Sequence, residues 1–165
     1  MKSLAIAFTG PSNSGKTTLI VKLSEKLIAN NKVIIIKNDP KNKAMFDKEG
    51  KDSYKFSQTG ADVIVTSPLK TTYFINHYQD METIISKLDD FDFLFVEGLK
   101  TLPLPRIAIF RNSIDESYLR HVEALAIDES VDLSKYSIPN HITILNLNDI
   151  ESITEWILKN AKVVK

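Results

Sequence analysis

The chain has no cysteine among its 165 residues, which excludes disulfides, thiolate metal sites and a cysteine nucleophile. It has no excess of charge either. Lys and Arg together number 21 and so do Asp and Glu, so no global field recruits nucleic acid or a membrane surface, and neither partner is expected. No stretch reaches the roughly 20 apolar residues of a spanning helix. The opening MKSLAIAF is short and runs directly into a turn, so it reads as a strand rather than a leader. His77, His121 and His141 lie scattered, without ligand spacing, and read as structural. Repeats, low-complexity tracts and linkers are missing too. At 43% hydrophobic and 25% charged, the composition is that of an ordinary globular protein. The expectation is one cytoplasmic domain over residues 1–165.

Against these absences stands one motif. Gly10, Pro11, Ser12, Asn13, Ser14, Gly15, Lys16, Thr17 and Thr18 fit G-x-x-x-x-G-K-[ST]. Such a loop converges backbone N–H groups on a phosphate, its lysine adds a positive charge, and its hydroxyl can ligate Mg²⁺. The flanks supply the required context. Ser3–Phe8 has the length of a buried strand, and Thr18–Ala29 carries Leu19, Ile20, Leu23, Leu27 and Ile28 at helical spacing. The loop then sits at a helix N-terminus, whose dipole favours an anion.

Further along, Lys32–Lys37 (KVIIIK) reads as a fully buried strand. Strand, loop, helix and strand make a βαβ unit with parallel strands. Asn38–Gly50 is a charged, turn-rich loop. Lys51–Thr59 reads as a short helix anchored by Tyr54 and Phe56, followed by strands at Asp62–Thr66 and Thr71–Ile75. Met81, Ile84, Ile85 and Leu88 mark an amphipathic helix. Strands follow at Phe91–Val96, Arg106–Phe110, Val122–Ile127 and Ile142–Leu145, with the two prolines of Thr101–Pro105 excluding regular structure between the first two. Asp149 reads as the N-cap of a closing helix with Ile150, Ile153 and Ile157 inside, and Trp156 beside that face reads as core packing, with a dimer contact as the alternative. The fold class expected is α/β, a P-loop NTPase domain with a mostly parallel central sheet flanked by helices.

Several stretches together resemble one family. GPSNSGKTT, the segment Ile36–Asp62 with its D-x-x-G-K-D-S run (Asp47, Gly50, Lys51, Asp52, Ser53), and FLFVEGLK with the following PLPRIAIFR look like the molybdopterin-guanine dinucleotide biosynthesis adaptor family, MobB. The resemblance covers Ser3–Arg111 and, more loosely, the rest. It implies a GTP-binding adaptor, at most a slow GTPase, that serves a molybdenum cofactor guanylyltransferase as a homodimer, with molybdopterin as a second ligand. One departure is that the family's Lys-His-Asp reads Lys37-Asn38-Asp39 here, so no role resting on that histidine carries over.

Within that resemblance, Mg²⁺ would be held by Thr17, Glu97 and Asp39, a trio similar to that of proteins resembling dethiobiotin synthetase. Glu97 follows a strand and should reach the carboxyl edge of the sheet, where open α/β sheets bind ligands; otherwise it is a solvated turn residue. Asp39 competes for its role with Asp47 and Asp52. Lys51, Asp52 and Lys100 are candidates for the second ligand or the γ-phosphate, or else charged loop residues. Arg106 could clamp a phosphate bidentately or be a surface arginine. Asp128 could accept from guanine as in related GTPases, or cap a turn. Tyr73–Tyr78 reads as a core strand or a dimer surface. With no evident general base and only Arg106, Arg111 and Arg120 in the later half, a P-loop phosphotransferase or dethiobiotin-synthetase-like enzyme acting on a small acceptor is the alternative.

Overall fold

Strands of alternating large apolar residues assemble the central sheet. In a computed structural model describing residues 2–165, β1 (Leu4–Thr9) leads through the loop into α1 (Lys16–Leu27) and β2 (Val33–Lys37). Then come α2 (Asp52–Ser57), β3 (Val63–Thr66), β4 (Thr71–Phe74), α3 (Met81–Lys87), β5 (Phe93–Glu97) and β6 (Arg106–Phe110). A 3₁₀ turn at Glu116–His121 precedes β7 (Ala124–Ile127), and a second at Leu133–Lys135 precedes β8 (Thr143–Asn146), α4 (Ile150–Asn160) and β9 (Lys162–Val163). The sheet order is β2-β5-β1-β6-β7-β8, parallel throughout, with β9 added antiparallel to β1.

The chain divides into two compact units, whereas the sequence reads as one. The first runs up to Asn38 and resumes at Asp90–Lys165; the second is Asp39–Asp89. In the first unit the two-residue period of the strands places Ile6, Phe8, Phe93, Phe95, Ile107 and Ile109 in one cluster with Leu19, Leu23, Ile153 and Ile157. Helices α1 and α4 therefore cover one face. Phe8 and Phe95 meet edge to face with centroids 5.4 Å apart, a geometry favoured by the ring quadrupoles. Trp156 joins this core, and the Asp149 carboxylate accepts the Ser152 amide as the cap of α4. On the opposite face Phe110, Leu119, Val122 and Leu125 form a second cluster beneath the first 3₁₀ turn.

Three expectations need correction. β2 is an edge strand, not a fully buried one, and Ile35 is 47% exposed. In the second unit, β3 and β4 form a separate antiparallel hairpin. Phe56 on α2 is exposed rather than an anchor, and Tyr73, Ile75 and Tyr78 are exposed rather than core. Among the described residues, no helix is long and apolar enough to cross a membrane.

Candidate functional site

The site forms where the strand order reverses. β1 lies between β5 and β6, so the chain leaves β1 toward one side of the sheet and later crosses to the other, opening a crevice at the carboxyl ends. Gly10 turns the chain there at φ +138°, and a Cβ on it would lie 2.4 Å from the Ile109 carbonyl oxygen of β6. Only glycine lets the loop pass this close to the sheet. Asn13 (φ +63°) and Gly15 (φ +100°) complete the curl, and Gly15 is the N-cap of α1. The first intrahelical bond runs from the Leu19 amide to the Gly15 carbonyl at 2.9 Å. The N–H groups of Lys16, Thr17 and Thr18 therefore have no acceptor within the helix.

Two observations fit a phosphate in this curl. The Ser14 hydroxyl is buried, has no hydrogen-bond partner, and lies 3.0 Å from where a Gly10 Cβ would stand. A buried orphan hydroxyl is unfavourable unless a polar ligand joins it. Lys16 folds back so that Nζ donates to the carbonyls of Gly10 at 3.0 Å and Pro11 at 2.7 Å. Partial burial lowers its pKa, Glu97 opposes that shift and Lys37 adds to it. An anion in the loop would favour the charged form.

Glu97 acts electrostatically on this lysine from the end of β5. It ends β5 in register with Phe8 and Lys37, is largely buried, and faces Lys37 Nζ at 3.9 Å. The solvated-turn alternative is thereby excluded. Thr17, one residue into α1, is exposed. A hydroxyl and a carboxylate are among the oxygen groups that hard cations take as ligands. Asp39 is differently engaged. It belongs to the second unit, and its carboxylate accepts the amides of Lys41, Lys43 and Ala44 at 3.3, 2.5 and 2.6 Å, closing the turn after β2.

Arg106 is neither a surface arginine nor a free phosphate clamp. It is 1% exposed, and its guanidinium donates to the carbonyls of Gly98, Leu99 and Leu102 at 2.9, 3.0 and 3.1 Å. It ties down the turn after Glu97, with its own amide held by Glu123 at 2.7 Å. Lys100, in that turn, lies over the Tyr118 ring at 3.8 Å, a cation–π contact. Lys51 and Asp52 lie exposed at the start of α2 in the second unit, where Asp52 pairs with Lys55 at 3.3 Å.

Asp128 follows β7 directly, and its carboxylate caps the turn there. The Ser130 amide and hydroxyl both donate to Oδ1, and Arg111 Nε lies 3.2 Å from Oδ2. The Ser130 hydroxyl leads in holding the carboxyl below its usual range. Arg111 is the residue that sequence reasoning missed. It follows β6 directly, and its guanidinium passes 3.5 Å from a Cβ built on Gly15. The available signal was its position at the carboxyl end of the strand next to β1.

A parallel sheet with this reversal, a glycine-framed curl at a helix N-terminus, and a lysine and glutamate at its mouth define a P-loop protein of the NTPase type. The comparisons with known proteins identify it further. The family model for Molybdopterin guanine dinucleotide synthesis protein B, MobB, matches residues 5–128. The chain belongs to the MobB family. An Escherichia coli molybdopterin-guanine dinucleotide biosynthesis adapter protein is 30% identical over 167 residues, 93% of this chain and 91% of that protein. A relative from Methanocaldococcus jannaschii is 32% identical over 130 residues, 75% of this chain; the match spans only 54%, about half, of the relative's own length. The fold matches that of Bacillus subtilis MobB with a TM-score of 0.76 at 21% identity, covering 96% of this chain and 98% of that one.

Proposed function

We propose that the chain is a nucleotide-binding adapter that holds GTP for the guanylyltransferase attaching GMP to molybdopterin. The observation that carries this reading is the Gly10–Thr18 curl with its buried, unpartnered Ser14 hydroxyl, in a chain whose family is MobB. In this reading the loop amides and Lys16 bind the phosphates, and Arg111, beside Gly15, adds charge at the rim. Thr17 and Glu97 hold Mg²⁺, which would offset phosphate charge. Asp39 remains in its turn. Asp128 reads the guanine edge once the base draws it from Arg111. Residues 1–165 work as one nucleotide-binding domain in the cytoplasm. Lys51 and Asp52 meet the second ligand, molybdopterin, Lys100 stays over the Tyr118 ring, and exposed Tyr73, Ile75 and Tyr78 supply a homodimer surface.

The residues gathered at the loop bind and position phosphate; the partner supplies the transfer chemistry. Phosphoryl transfer depends on groups placed around the γ-phosphate, so the isolated chain turns GTP over well below the ~1–10³ s⁻¹ of typical enzymes. The test is gel filtration of the chain with a molybdenum cofactor guanylyltransferase, combined with steady-state phosphate release. Co-elution with slow turnover supports the adapter. Rapid, acceptor-dependent transfer by the chain alone would instead support the phosphotransferase alternative.

A further inference from the structure

One arginine stands between the two halves of the nucleotide site. Phe110 pairs with Ile127, so Arg111 and Asp128 are the first residues beyond adjacent parallel strands and leave the sheet side by side. Arg111 Nε lies 3.2 Å from Asp128 Oδ2. The same guanidinium lies across Gly15, with Nε, Cζ and Nη2 at 3.5, 3.6 and 3.6 Å from where a Cβ would stand. Gly15 is the N-cap of α1, where an anion in the loop would meet free backbone N–H groups. A single cation is thus within reach of both the loop and the carboxylate that ends the neighbouring strand.

That carboxylate has one oxygen to spare. Ser130 donates to Oδ1 through both its amide and its hydroxyl, which takes up that oxygen's two lone pairs. A base edge must then compete with Arg111 for Oδ2. The Asn112 amide donates to the Ser130 hydroxyl at 2.8 Å, which ties the residue after Arg111 to the Asp128 turn. The Arg111 side chain is 44% exposed and can swing about that anchor. A neutral base is a poor exchange for a guanidinium–carboxylate pair unless the freed cation finds another anion. Phosphates in the loop are such an anion.

We propose that Arg111 is an arginine released by the base: it holds Asp128 when no base is bound, and guanine, by taking Oδ2, sends it to the phosphates over Gly15. Base and phosphates then bind with positive coupling, because both favour the same displaced arrangement of one side chain. Phosphate affinity comes to depend on which base is attached. The inference rests on the proposed function above, in which Asp128 reads guanine.

The test is calorimetric titration of tripolyphosphate, ATP and GTP, with Mg²⁺, into the parent chain, Arg111→Ala, Asp128→Asn and the double variant. Arg111→Ala should cost GTP about tenfold or more in affinity beyond what it costs tripolyphosphate or ATP, since only guanine releases the side chain. Asp128→Asn frees Arg111 without any base, so it should raise tripolyphosphate affinity, and Arg111→Ala in that background should abolish the gain. Equal losses for the three ligands on Arg111→Ala would make the residue a fixed rim charge and overturn the proposal. A gain that survives in the double variant would be relieved repulsion from Asp128, and would overturn it too. The proposal and the reading beneath it fail differently. Should the parent bind GTP no more tightly than tripolyphosphate, base recognition and this proposal fall together. Tighter binding of GTP than of the other two, with equal losses on Arg111→Ala, removes this proposal alone.

Discussion

Replacing Gly10 by alanine tests whether the phosphate curl depends on its contact with the sheet. The new Cβ would lie 2.4 Å from the Ile109 carbonyl oxygen, 3.3 Å from the Ile109 amide nitrogen and 3.0 Å from the Ser14 hydroxyl, at φ +138°. Holding an alanine at that φ costs about 1–3 kcal/mol. Pushing the buried β6 backbone away adds about 1–3 kcal/mol of overpacking. Gly15→Ala is the matched control. It shares a positive φ, +100°, but the atoms nearest its Cβ would be those of the flexible Arg111 side chain, from 3.5 Å, an ordinary contact. Gly10→Ala should therefore be the less stable by at least about 1 kcal/mol, and its midpoint should fall by on the order of 10 °C from the parent, at about 2–4 °C per kcal/mol for a chain this size. Thermal unfolding followed by the fluorescence of Trp156, which is buried in the same core cluster as Ile109, reads the unit concerned. Stabilities within about 0.5 kcal/mol of each other, less than the smallest overpacking term, would refute the contact argument.

Arg106→Lys should destabilise the protein by about 2–4 kcal/mol, since one ammonium cannot satisfy the Gly98, Leu99 and Leu102 carbonyls together; denaturant titration measures this, and an unchanged midpoint with lost phosphate affinity would revive the clamp. Glu97→Gln should weaken Mg²⁺-dependent nucleotide binding far more than binding in the presence of a chelator, because the amide keeps the shape but lacks the charge a hard cation prefers; calorimetry with and without the metal separates the two. Asp128→Asn should reduce the preference for GTP over ATP by about tenfold or more if its carboxylate reads the base; full selectivity in the variant would move base recognition elsewhere.

The phosphate loop was legible because its chemistry is local. The glycines, the lysine and the apolar period of α1 are adjacent in sequence, and the helix differs only in its bounds, Lys16–Leu27 rather than Thr18–Ala29. What depends on strand order was not legible. KVIIIK carries no polar alternation, yet β2 falls at the sheet edge and leaves Ile35 exposed. Arg106 looks like any arginine at a strand start until three carbonyls 4 to 8 residues away in sequence close around it. Arg111 acquires meaning only when β6 is placed beside β1, which sets its guanidinium against Gly15. β9 is two residues long, too short for any period, and is defined by its pairing with Leu4 and Ala5.

The most direct test of the central claim is calorimetric titration of GTP with Mg²⁺ into the parent chain and Lys16→Ala. Lys16 is half-buried over the loop and donates to the Gly10 and Pro11 carbonyls, outside the apolar core, so its removal should leave the fold unchanged. The account predicts one triphosphate per chain in the parent and none detectable in the variant at the same concentrations. Equal affinity in the two proteins would contradict it and place the nucleotide, if one binds, away from the Gly10–Thr18 loop.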